Sequence, residues 1–221
     1  MFNDRKEAGQ KLGKALEHYR GCDGIILAIP KGGVKIGYYV AEHLDIPWSI
    51  IISRKLPFPD NPEAGFGAIA EDGSTFFIAD FSKRLPLAVI QKVLEEQKRE
   101  LKRRIDVLRD GKPLPEITGK LVILVDDGIA MGSTMQAAVR LCRNKNASKI
   151  VVAAPVAGPA AAAELAKAAD EVVILEQPPF FHAVAEVYKN WYDVSDDEVV
   201  QILRKNGYYQ PNLKGKEHGR S

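Results

Sequence analysis

The chain is poor in cysteine: Cys22 and Cys142 are its only two in 221 residues. They stand too far apart for metal-ligand spacing and are too few for a disulfide framework, which suits a reduced, cytoplasmic setting. Long apolar runs are missing as well. The longest are strand-sized and Met1 to Gln10 is polar, so neither a membrane span nor a signal peptide is expected. An excess of charge of one sign is missing too. With 31 Lys and Arg against 29 Asp and Glu, the formal net charge of +2 makes no demand for DNA or an anionic membrane as partner. Hydrophobic residues, at 46%, are plentiful enough to bury one good core. A single domain over residues 1–209 is expected, followed by a polar, flexible tail at 210–221.

Short apolar runs alternate with helical patterns. Residues 4–19 space Ala8, Leu12, Leu16 and Tyr19 as a helix with Asp4 as its N-cap, and strands are expected at Gly24–Ile29 and Trp48–Ser53. Leu56–Gly67, with three prolines and two glycines, reads as a long loop, and 68–79 as a β-hairpin turning at 71–74. Leu85–Arg109 is helical, with a stripe from Leu87 to Leu108 that leaves room for a subunit contact. Its five basic residues between Lys98 and Arg104 ring the helix and read as a solvated face. Further strands are expected at Leu121–Val125, Lys149–Ala154 and Glu171–Leu175, with helices from Ser133, over Pro159–Ala169 and over 195–205. Ser195 and Glu198 in the last are spaced as a capping box. The alternation predicts an α/β fold, an open, twisted parallel sheet flanked by helices.

Chemistry concentrates at Leu121–Thr134, where a doubly buried strand runs into Asp126-Asp127-Gly128-Ile-Ala130-Met131-Gly132-Ser133-Thr134 and then into a helix. Ligands of open α/β sheets sit beyond the carboxyl ends of the strands. Two carboxylates there, beside small residues at a helix N-terminus, suit a ligand with hydroxyls at one end and a phosphate at the other. A second glycine turn, Lys31-Gly32-Gly33, can bring backbone and a cation to another anion, although tight strand-to-helix geometry alone would also explain it. Gly65-Phe-Gly67-Ala-Ile-Ala70 fits a dinucleotide fingerprint only superficially, because no helix follows it.

The acid pair and its glycine-serine turn resemble the loop by which type I phosphoribosyltransferases bind 5-phosphoribosyl 1-pyrophosphate (PRPP). The turn at Lys31, the pair Arg54-Lys55 and the acid loop also follow in that family's order. The resemblance implies an Mg²⁺-dependent transfer of the phosphoribosyl group from PRPP to a nitrogen acceptor, with a nucleobase expected, and release of pyrophosphate. Asp126 and Asp127 would hold the ribose hydroxyls close to Mg²⁺, Gly128 and Ala130 to Thr134 the 5-phosphate, and Lys31, Gly32 and Gly33 with Arg54 and Lys55 the pyrophosphate. It further implies a lid over about 56–80, a hood built from about 1–22 and 176–209, and a homodimer. Glu63 in the lid is the candidate base, and Phe180 and Phe181 in the hood are candidates to stack on the acceptor. Met131 departs from the family, standing where many members have threonine. The competing functions are a PRPP-sensing regulator without transfer activity and a phosphatase with Asp126 as nucleophile, for which Gly128 occupies the place of a needed acid.

Overall fold

The computed structural model describes residues 1–205; the expected tail at 210–221 and the expected domain end at 209 lie outside them. Asp4 caps α1 (Arg5–Ala15) by accepting the Glu7 N–H at 2.9 Å, and β1 (Gly24–Ala28) follows. α2 (Gly33–Leu44) ends at Asp45, a left-handed residue with φ 54°, and leads into β2 (Trp48–Ile50). β3 (Ser53–Phe58), β4 (Asn61–Ala70) and β5 (Thr75–Phe77) come next, then α3 (Ala79–Ser82) and α4 (Leu87–Arg109). The second half runs β6 (Leu121–Val125), α5 (Ser133–Asn144), β7 (Lys149–Val156), α6 (Pro159–Ala166), β8 (Glu171–Glu176) and α7 (Asp196–Lys205).

Five strands form one parallel sheet in the order β2-β1-β6-β7-β8, with Leu27 beside Leu124 and Leu124 beside Val152. Because side chains alternate across a strand, the central apolar runs feed two cores at once. Ile25, Leu27, Val122, Leu124 and Val152 pack with α5, while Ile26, Ile123, Val125 and Val151 pack with α1 and α2. This is the α/β fold expected, with helices on both faces.

Two expectations are corrected. The strand expected over Trp48–Ser53 breaks after Ile50, and the chain leaves the parallel sheet to begin β3 of a separate antiparallel sheet, β3-β4-β5. The expected loop at 56–67 is therefore a hairpin. Its prolines misled because proline is tolerated on an edge strand and at bulges, and β3 is an edge strand whose register shifts on both sides of Pro57. The hairpin turning at 71–74 does form, as β4 and β5. This small sheet closes over a third core in which Phe66 is fully buried with Ile50, Leu56 and, from α4, Leu101 and Leu108.

Smaller corrections concern α4 and α7. Leu87 leads the expected stripe but is 68% exposed, whereas Val93, absent from it, is buried. The basic run is not simply solvated: Arg103 and Arg104 both reach Glu100, and the Arg104 side chain is largely buried. The capping box is half formed. Ser195 Oγ accepts the Glu198 N–H at 3.1 Å, but the Glu198 carboxylate turns to Lys35 and Tyr192. Residues near the N-terminus meet residues 188–190: Phe2 pairs with Tyr188, and the Phe2 and Asn3 carbonyls accept the N–H groups of Lys189 and Asn190.

Candidate active site

A cavity of about 520 Å³ lies beyond the carboxyl end of β6, between the turn that starts α5 and the antiparallel sheet. Asp126, the turn from Gly128 to Thr134, and Lys55 and Glu63 from the small sheet all line it. Gly132 takes φ 75°, a left-handed conformation that favours glycine, and no side chain caps α5. The N–H groups of the first turn of α5 thus have no side-chain cap and lie at the positive end of the helix dipole, where an anion is favoured. Ser133 and Thr134 add hydroxyls, while Met131, 67% exposed, offers none.

The two acids have separate surroundings. Asp126 lines the cavity, and its Oδ1 accepts the Asp127 N–H at 2.8 Å. Burial, and then the charge of Asp127, push its carboxyl well above the usual carboxylate range. Asp127 points the other way and is 9% exposed. Its Oδ2 accepts from Arg5 Nε at 2.7 Å, and its carbonyl accepts the Tyr188 hydroxyl at 2.7 Å. Arg5, itself 4% exposed, also donates to the Tyr192 carbonyl and lies 4.1 Å from the Trp191 ring centroid. Burial raises the Tyr188 hydroxyl, keeping it protonated to donate.

The glycine turn after β1 abuts both acids. A Cβ on Gly32 would lie 1.7 Å from Asp127 Oδ2, and one on Gly33 would lie 2.9 Å from the Asp126 Cα, so only glycines let the turn approach. The peptide between Pro30 and Lys31 is cis. Lys31 reaches Asp196 Oδ1 at 3.9 Å rather than the cavity.

Several expected site residues are placed elsewhere. Arg54 and Lys55 project from opposite faces of β3, as neighbours on a strand must. Lys55 lines the cavity and donates to the Glu63 carbonyl at 2.5 Å, whereas Arg54 donates to Gln97 on α4 at 3.2 Å. Burial, and then Arg104, lower the Arg54 pKa from its ordinary value. Phe180 is 84% exposed and Phe181 packs against the core on the α1 and α2 face of the sheet, and neither lines the cavity. The apolar wall there comes from Phe81, Ile129, Met135 and Val184. Val184 comes so close that a Cβ on Gly128 would lie 2.4 Å from its Cγ1.

Sequence reasoning missed Arg5, Phe81 and Val184. Arg5 alone left a trace: a cation in the first turn of a helix opposes the helix dipole and calls for a partner.

The phosphoribosyl transferase domain family matches residues 5–190. A Mycobacterium tuberculosis H37Rv protein named "Putative phosphoribosyl transferase Rv0571c" is 39% identical over 205 residues, 92% of this chain and 46% of the relative. The chain thus spans about half the length of the curated relatives it matches. Among solved structures, TT1426 of Thermus thermophilus superposes with a TM-score of 0.78 at 33% identity, covering 92% of this chain and 98% of the other. AQ2163 of Aquifex aeolicus, with a TM-score of 0.50 at 11% identity over 77% of this chain and 73% of the other, shares the fold alone. An acid pair at the end of β6, an uncapped small-residue turn and a glycine turn against the acids agree with these likenesses, and the chain belongs to the type I phosphoribosyl transferase family.

Proposed function

We propose that this protein transfers the 5-phosphoribosyl group of PRPP to a nitrogen acceptor of the nucleobase class and releases pyrophosphate. The observation that carries this reading is the cavity that joins Asp126 to the anion turn at Gly128–Thr134. That turn takes the 5-phosphate, Asp126 faces the ribose hydroxyls, and Lys55 with the glycine turn serves the pyrophosphate. Asp127 supports the turn from behind, because Arg5 already engages its carboxylate.

The residues fit an Mg²⁺ ion. Asp126 presents a carboxylate whose charge is disfavoured by burial and by Asp127, which a cation would relieve. Mg²⁺ commonly binds through one or two carboxylates together with substrate oxygens, and here Asp126 would supply the protein ligand. Bound there, the ion would neutralise charge gathering on the leaving pyrophosphate. The protein's own share is electrostatic and steric. Lys55 stabilises the departing anion, and the small antiparallel sheet with Phe81 shields the cationic sugar from water. Glu63 is the cavity-lining group suited to take a proton from the acceptor. The proposed setting is cytoplasmic and the proposed state a homodimer; among the described residues no helix is long and apolar enough to cross a membrane.

A second reading, PRPP sensing without transfer, is favoured by one observation. Arg54 faces Gln97 and Asp127 faces Arg5, so two expected catalytic groups are occupied elsewhere. One assay separates the two readings. Pyrophosphate release from PRPP and Mg²⁺ is measured across purines, pyrimidines and pyridine carboxylates, beside direct PRPP binding. Acceptor-dependent release that falls by about 100-fold or more in Asp126→Asn is expected. PRPP binding without release from any acceptor would transfer the assignment to a sensor.

A further inference from the structure

A second hollow, about 680 Å³, opens where the first turn of α1 meets α2 and α7, and it shares no lining residue with the first. Its walls are aromatic and basic. Tyr38 and Tyr39 have ring centroids 4.9 Å apart with planes tilted by 60°, and Tyr192, 45% exposed, is also in the wall. Lys6 stands 6.0 Å from the Tyr39 ring centroid and Lys35 stands 4.7 Å from that of Tyr192. Lys205, at the end of α7, is exposed at the rim.

The acids in the wall are already engaged. Asp4 caps α1, and Glu198 binds Lys35 at 2.6 Å and accepts the Tyr192 hydroxyl at 2.7 Å. Of the four cations in the wall, Arg5 is paired with Asp127 and Lys35 with Glu198, so the exposed Lys6 and Lys205 are the cations placed to meet a ligand. Tyrosine rings give a flat ligand face-on contact at small cost in side-chain entropy, and lysines fix an anion as point charges. The volume lies within the range of small-molecule sites.

We propose that this hollow is a second ligand site, taking a planar aromatic ring that bears an anionic group, the class to which nucleoside monophosphates belong. The ring lies on the face of Tyr39 with its edge towards Tyr38, and the anion meets Lys6 and Lys205. Arg5 forms part of the wall and binds Asp127 at 2.7 Å, so a ligand here sits one guanidinium away from the acid loop of the first cavity.

Calorimetric titration of the full chain with AMP, GMP, UMP and CMP, each alone, tests the assignment. At least one nucleotide is expected to bind with an affinity that falls tenfold or more in the Lys6→Ala, Tyr39→Ala double variant. The same affinity should stay within about twofold in Asp126→Asn, since Asp126 lines the first cavity and not the second. Lys205→Glu, a change at an exposed position, gives an independent reading should the double variant fold poorly, and is expected to weaken the same binding. Failure of all four nucleotides to bind at millimolar concentration would overturn the proposal. Binding that depends on Asp126 and ignores Lys6, Tyr39 and Lys205 would overturn it as well, since that ligand occupies the first cavity.

Discussion

At the scale of single residues, neighbouring acids with the same side chain are given different work by their surroundings. Asp126 looks into the cavity, while Asp127 is held from behind by Arg5. A buried charge stripped of its partner costs far more than the pair contributes, because the survivor remains desolvated. Arg5→Leu is therefore expected to destabilise the fold by about 3–5 kcal/mol, and the Arg5→Leu, Asp127→Asn double variant by clearly less. Urea unfolding of the two variants checks this. Equal losses would show that Arg5 acts through its packing on Trp191 rather than through Asp127. The motif at 126–134 was legible because its parts are contiguous. Arg5 was not, since 122 residues separate it from its partner.

Among the elements, α4 shows how charge pattern and charge function part company. Its basic run looks solvent-facing in sequence, yet Arg103 and Arg104 converge on Glu100, with Arg54 of β3 close by. The Arg103 hydrogen bond, set against desolvation and aided by the arginine charges, holds the Glu100 carboxyl down to about 2, below its ordinary 4.5. A depressed folded-state pKa stabilises fully above the unfolded value and loses that contribution as pH falls. Glu100→Gln should therefore lower Tm near neutrality, and its gap from the wild type should close as pH drops from 4.5 towards 2. A gap that is constant over that range would mean that the side chain's shape, not its charge, matters. β3 and β4 were illegible for a related reason. Prolines signal loops in a single sequence, and only pairing at a sheet edge makes them tolerable in strands.

For the whole molecule, three cores share five parallel strands and one small antiparallel sheet, and the two thiols report on their depth. Cys142 is fully buried between α5 and the sheet, and burial pushes its thiol up to about 12. Cys22 is half-buried beside β1, with its thiol raised by burial to a lesser depth. A thiol reagent at pH 8 should therefore modify Cys22 in the native protein and reach Cys142 only with unfolding; mass spectrometry of the labelled peptides decides. Prompt labelling of Cys142 would show that the α5 core opens readily. The sequence by itself determined the parallel sheet, the glycine turn and the acid loop, because buried strands, left-handed turns and helix starts each need particular residues in an unbroken run. Only the tertiary structure decided which acid lines the cavity, which of Arg54 and Lys55 faces it, and that Phe81 and Val184 rather than Phe180 and Phe181 wall it. Those outcomes depend on strand facing and on contacts between segments far apart in the chain, which no local pattern encodes.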